Sequence, residues 1–398
     1  MKAFILNILL LISIPFTGLS QINEKDSAND KVSQKDLVDI ARWIVKKKAN
    51  TKVINETGPF ISCLPAIGYT LQSGVTISGV CNVSFRTNKE KNQFSAIQLN
   101  ANYSEFNQYW FLLSNDILFT KNRIRYIGDC RYYKLPTHTY GIGNSTQLSD
   151  AVPVDYTYFR CYQLLYKELI QNFYLGVGYN LDFHNDINTT LVQSTKPNEM
   201  NKPLNNTKSV SSGISLNTLY DSRNNPANPS PGNFANIRFR LNHRLLKSDN
   251  NWSSVVIDLR HYMQLPNSSK NILAFWSYTS LTLFGRAPYF DLPTTASDDS
   301  GNTGRGFVAG RYTGRNLAYI ESEYRFHLTR NGLLGGVVFG NIETILKSGD
   351  ISTKLLHPGY GAGLRVKVNK RSNINLSIDY AFGSDGTHGL FFNLGEIF

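Results

Sequence analysis

The chain has 398 residues, 18% charged and 41% hydrophobic, with 22 Tyr, 23 Phe and 30 Gly against only 3 Met. Charged residues fill about a quarter of an ordinary soluble domain, and no apolar run beyond the first twenty residues reaches the roughly 20 needed for a transmembrane helix; a disordered chain and a helical membrane protein are both excluded. The formal charge of +12 is scattered along the chain rather than gathered on one face, which argues for a lumen and loops and against nucleic acid as a partner.

Met1 to Ser20 carries a single cation, Lys2, then an apolar stretch from Phe4 to Phe16 and small residues at Gly18 and Ser20. This is the pattern of a cleavable secretory signal over 1–20. Residues 21–60 then form a periplasmic leader containing one predicted helix, 34–48. Ser33 and Asp36 fit a capping box, Lys46 to Lys48 complement the dipole at the far end, and Leu37, Ile40, Ala41 and Ile44 share a face. A plug, a docking helix and a helix merely resting on a rim are all compatible with it.

From Ile61 the pattern switches to period two and keeps it to the end. In the segment 234–244, Ala235, Ile237, Phe239 and Leu241 alternate with Asn236, Arg238, Arg240 and Asn242. In 319–327, Glu321, Glu323 and Arg325 lie opposite Ile320, Tyr324 and Phe326. An all-β, antiparallel up-and-down barrel of about 16 strands is therefore expected over 61–398, apolar side chains facing lipid and charges lining the lumen. The longer connections, 136–152, 185–208, 285–313 and 346–356, all follow odd-numbered strands, with Asp221 to Gly232 as the exception. Long loops on one rim and short turns on the other are the outer-membrane arrangement.

Four cysteines in an exported chain can make two disulfides. Cys63 and Cys81 flank one turn, and Cys130 and Cys161 flank another, so each pair could close a hairpin; free thiols on lipid-facing strands are the alternative. Closure of the barrel must pair the first strand with the last, and Pro65 and Gly68 both weaken that seam. Phe398 is expected to end an outward row with Leu390, Phe392 and Leu394, the C-terminal aromatic signal of such barrels, although Glu396 interrupts that row. Hydrolase chemistry has no footing: the seven His are dispersed, and neither GxSxG, HExxH nor CxxC occurs. No enzyme activity, cofactor or metal is expected.

Three segments stand out. The first is the Pro-rich turn Asp221-Ser-Arg-Asn-Asn-Pro-Ala-Asn-Pro-Ser-Pro-Gly232. The second is Gly304-Arg-Gly-Phe307 with Gly310-Arg-Tyr-Thr-Gly314, and the third runs from Gly359-Tyr-Gly-Ala-Gly-Leu-Arg365 to the end. In this order they resemble the BamA/TamA-type surface-antigen superfamily of outer-membrane barrels. The resemblance implies that the loop folds back into the lumen through Arg305, Gly306 and Phe307. Glu321 and Glu323 are then the acceptors; Asn341 stands where an Asp is usual, which would weaken the inter-strand ion pair or shift it to Glu343. It further implies a seam that can open toward lipid, and a role in inserting or translocating proteins with client or accessory outer-membrane proteins as partners, among lipids that include lipopolysaccharide. The leader is too short for the family's periplasmic substrate-binding modules, so a stand-alone barrel is expected. A passive or gated solute channel and a structural scaffold of a surface complex are the competing expectations.

Overall fold

The computed structural model describes residues 34–37, 39, 60–70, 73–85, 95–119, 123–134, 136–189, 207–265, 271–346, 356–370 and 373–398. The signal segment and nearly all of the predicted helix 34–48 lie outside the described residues. The strands are β1 (Phe60–Thr70), β2 (Gly74–Phe85), β3 (Ser95–Ser104), β4 (Tyr109–Phe119), β5 (Ile124–Lys134), β6 (Val152–Ile170), β7 (Phe173–Thr189) and β8 (Ser209–Asp221). They continue with β9 (Gly232–Asn242), β10 (Trp252–Gln264), β11 (Ile272–Gly285), β12 (Asn316–His327), β13 (Leu334–Ile345), β14 (His357–Asn369), β15 (Ile374–Gly383) and β16 (His388–Leu394). The short piece Thr137–Thr139 continues β5 past Pro136: Lys134 faces Thr157 and Thr137 faces Val154, one unbroken register along β6.

Each strand pairs antiparallel with the next in sequence from β1 to β16, the meander expected of sixteen strands. Its faces are inverted relative to a soluble protein. Ile67 (77% exposed), Ile77 and Val177 look outward, whereas Asn180, Asn217, Asn242 and Glu323 are buried inside. That inversion is physically tolerable only where the outside is hydrocarbon and the inside is polar. The alternation read from 234–244 holds: Ile237, Phe239 and Leu241 are exposed, and Arg240 and Asn242 are buried.

Two features differ from the sequence expectation. The last strand stops at Leu394, and residues 395–398 turn inward. Phe398, only 2% exposed, stacks on Trp276 within the lumen instead of closing the outward row of Leu390 and Leu394. The cause is charge: Glu396 finds Arg365 inside the barrel, Nε to Oε2 at 2.6 Å, and carries its neighbours with it. The cysteines also divide. Cys63 and Cys81 face each other in register and are disulfide-bonded; Cys130 and Cys161 also face each other, but as free thiols, each contacted by the Gln163 amide.

β1 and β16 run side by side, yet among the described residues no register joins them. Pro65 is opposite Gly79 within the β1–β2 ladder, and Gly68 opposite Thr76. Lys35, Asp36 and Asp39 of the leader touch the short-turn rim. Lys370 donates its backbone N–H to Asp36 at 2.9 Å and its ammonium to Asp39 at 2.7 Å, and Lys35 donates its backbone N–H to the Asn331 carbonyl.

Candidate functional site

The connection between β11 and β12 does not extend into solvent. It turns back into the barrel and crosses the lumen, and the reasons are local. Gly304 and Gly306 take φ of +78° and +105°, the left-handed region that only glycine enters at little cost. A Cβ on Gly304 would come within 2.5 Å of the Thr295 methyl, and one on Gly306 within 2.6 Å of the Phe382 carbonyl. Glycine at 304 is thus what this loop requires. A second set of glycines makes the space. On β14, a Cβ at Gly359, Gly361 or Gly363 would collide with the Arg305 carbonyl, the Phe339 ring or the Asp379 carboxylate.

Arg305 enters that space and is 2% exposed. Its Nη1 donates to Asp379 at 2.8 Å, and its Nη2 donates to both Glu321 and Glu323. The guanidinium carbon lies 3.6 Å from the centroid of Phe339, a close cation–π contact. The wall is shared further. Arg325 donates Nε to Glu323 at 2.7 Å and Nη2 to the Phe398 carbonyl at 3.0 Å, and Arg365 bridges Asp379 and Glu396. Three guanidiniums and four carboxylates (Glu321, Glu323, Asp379, Glu396) thus interlock at 8% side-chain exposure or less. Such charges persist without water only because each has partners on several sides.

The loop and the chain's last residues meet here. Asn302 donates to the Ile397 carbonyl at 2.8 Å. The Pro-rich turn between β8 and β9 closes the other side: Ala227 accepts the Glu396 backbone N–H, and Asn228 donates to the Asn373 carbonyl. Loop, tail and turn together fill the acidic half of the lumen. Arg311 fixes the loop's return, donating to Asp385 at 2.7 Å and to Thr146.

The opposite wall carries the opposite charge, and the loop answers it with an acid. The Asp299 carboxylate accepts from Arg160 (2.7 Å) and Arg238 (2.6 Å), and its carbonyl accepts from Arg131 at 2.8 Å. Burial pushes this carboxyl up, but the guanidiniums of Arg238 and Arg160 outweigh that and hold it well below the usual carboxylate range. Six residues apart, Asp299 and Arg305 therefore tie one loop to two walls, β5–β6–β9 and β12–β15.

The site residues read from sequence are placed as follows. Arg305 does meet Glu321 and Glu323, and Phe307 is buried beside it against Tyr312. Asn341 donates its amide to the Arg305 carbonyl at 3.0 Å, a bond an aspartate could not donate. The expected shift of the ion pair to Glu343 does not occur: Glu343 accepts from Thr295 of the same loop at 2.9 Å, and Asp379 takes its place. Sequence reasoning missed Asp299, Asp379, Arg365 and the inward course of Glu396. The signal available for Asp379 and Arg365 was their position on inward faces of β15 and β14; nothing local marked Asp299.

Comparison with known proteins completes the description. The family model described as the Omp85 superfamily domain matches residues 81–398. BamA from Haemophilus ducreyi, crystallised without POTRA domains 1–3, superposes with a TM-score of 0.55 at 18% identity, over 84% of this chain and 70% of that one. CdiB from Acinetobacter baumannii superposes with a TM-score of 0.56 at 12% identity, over 85% of this chain and 60% of that one. At these identities the two structures share the fold. No curated protein matches the chain in sequence.

Proposed function

Since this chain belongs to the Omp85 superfamily and forms an outer-membrane β-barrel, we propose that it helps to insert or move other proteins at the outer membrane, as an insertion or secretion barrel. The observation that carries the reading is the seam. β1 and β16 lie together without a shared register among the described residues, so both edges keep main-chain groups with which an incoming strand could pair. Pro65, which has no N–H to give, and Gly68 lower the cost of leaving that edge open. The acidic wall and Arg305 hold the loop while the seam moves, and client or accessory outer-membrane proteins are the partners, with lipopolysaccharide among the surrounding lipids. A free solute pore fits less well, because Arg305, Phe307 and Tyr312 are buried where such a pore would run.

The test is quantitative outer-membrane proteomics after depletion, with solute uptake recorded on the same cells. A selective loss of other barrels or surface proteins is expected. An unchanged proteome with reduced uptake would replace this reading with a channel, and no change in either would leave the scaffold.

A further inference from the structure

Between the loop and the basic wall lies a cavity of 640 Å³ whose lining includes Arg131, Arg160, Arg238, Tyr162 and Asp299. This falls in the range of small-molecule sites, about 300–1,000 Å³. At one end it is lined by Ser73 and Gln108, from turns on the same rim as the long loops.

Of the three loop carboxylates that line it, Asp291, Asp298 and Asp299, the last is held as a ligand would be. One oxygen meets Arg160 and the other Arg238, and the side chain is still 52% exposed to the cavity. The donors are not used up. Arg160 Nε and Arg238 Nε are buried and have no hydrogen-bond partner among the described residues. The charge is not balanced either. Arg131, Arg160 and Arg238 contact only two carboxylates, Asp129 and Asp299: the adjacent Arg240 is paired with Asp182 at 2.5 Å, Asp298 accepts from the backbone N–H groups of Ser300, Asn302 and Thr303, and Asp291 accepts from Ser211. Counted over the groups in direct contact, the three arginines keep an excess of one positive charge with Asp299 in place and of two with Asp299 withdrawn. Arg160 also lies over the Tyr162 ring, its guanidinium carbon 4.0 Å from the centroid.

We propose that this cavity is a binding site for a compact dianionic oxyanion, of the phosphate-monoester kind, and that Asp299 is its tethered occupant, displaced when the ligand binds. A phosphate monoester carries the two charges and the three acceptor oxygens that the unused guanidinium N–H groups call for. Displacing Asp299 frees the loop from the basic wall while Arg305 still holds it to the acidic one, so occupancy would be reported through the loop.

The test is calorimetric titration of the full chain, refolded in detergent, with glycerol 3-phosphate, with glycerol as the uncharged control, and with short-chain phosphatidic acid to separate a free monoester from a lipid-borne one. A nitroxide on Ser300→Cys reports the loop. Saturable binding of a phosphate probe, silence with glycerol, and increased nitroxide mobility on binding are expected. A tethered group competes at an effective concentration of order millimolar, so Asp299→Asn should tighten binding by about tenfold, and Arg160→Gln with Arg238→Gln should abolish it. Folding of each variant is verified by its heat-dependent gel migration, and Arg238→Lys, which keeps the charge, should bind more weakly than wild type but measurably. Stronger response to phosphatidic acid than to glycerol 3-phosphate would assign the lipid-borne source. The absence of saturable binding in both the wild type and Asp299→Asn, or binding unaffected by the arginine substitutions, would overturn the proposal.

Discussion

Replacing Arg305 with alanine should be among the most damaging single changes in this barrel. With Arg305 present, the acidic wall holds Arg305, Arg325 and Arg365 against Glu321, Glu323, Asp379 and Glu396, an excess of one negative charge. Without it the excess is two. Glu321, whose side chain is fully shielded from solvent, would keep only the Tyr319 hydroxyl as a partner. Removing one member of a buried ion pair costs about 3–5 kcal/mol, and the contact with Phe339 adds up to about 2 kcal/mol when desolvated; the sum belongs at the upper end of the first range, since backbone bonds of the loop persist. Urea unfolding in phosphatidylcholine vesicles, followed by tryptophan fluorescence and by gel migration without boiling, measures the loss. Arg305→Lys should recover only part of it, because an ammonium cannot serve three carboxylates as a planar fork does. Glu321→Gln in the Arg305→Ala background should restore about 1–3 kcal/mol through relief of the unpaired charge. A loss below about 1 kcal/mol, the worth of an exposed pair, would refute the assignment of Arg305 as the loop's buried anchor.

Other outcomes follow from the same geometry. Gly304→Ala forces a Cβ at positive φ against Thr295 and should cost about 1–3 kcal/mol, visible as protease cleavage in 296–310 that the wild type resists. Mass spectrometry without reduction should find a Cys63–Cys81 cross-linked peptide and two alkylatable thiols, Cys130 and Cys161; four alkylatable thiols would contradict the structure. Phe398→Ala empties a packed position against Trp276 and Tyr262 and should destabilise by about 3–5 kcal/mol, whereas an outward, lipid-facing Phe398 would show a much smaller effect on the unfolding of the assembled barrel.

Much of the fold was legible because strand alternation is local. Ile237 and Arg240 declare their faces within four residues, and the long connections declare the rim. The half of the site on one strand was legible too: Glu321 and Glu323, two apart, must share a face. What alternation could not convey is where the chain departs from it. Glu396 breaks the outward row in the sequence, and the structure explains why: it leaves the strand to reach Arg365, 31 residues away. Asp299 pairs with Arg160 across 139 residues and with Arg238 across 61, with no periodic pattern between them. Asn341 stands where the resemblance leads one to expect an acid, and its role as a donor to the Arg305 carbonyl depends on a loop that folds back from 36 residues earlier in the chain.

One loop spans the lumen and is tied to both walls, through Arg305 to the acidic wall and through Asp299 to the basic wall. Pulsed electron-resonance distances between nitroxides on Ser300→Cys, at the loop, and on Leu245→Cys, on the exposed turn after β9, test it directly, in a background where the native cysteines are replaced by serine. One narrow distance is expected in the otherwise native barrel, broadening when Asp299→Asn and Arg305→Ala are combined. A broad distribution already present without those substitutions would contradict the account.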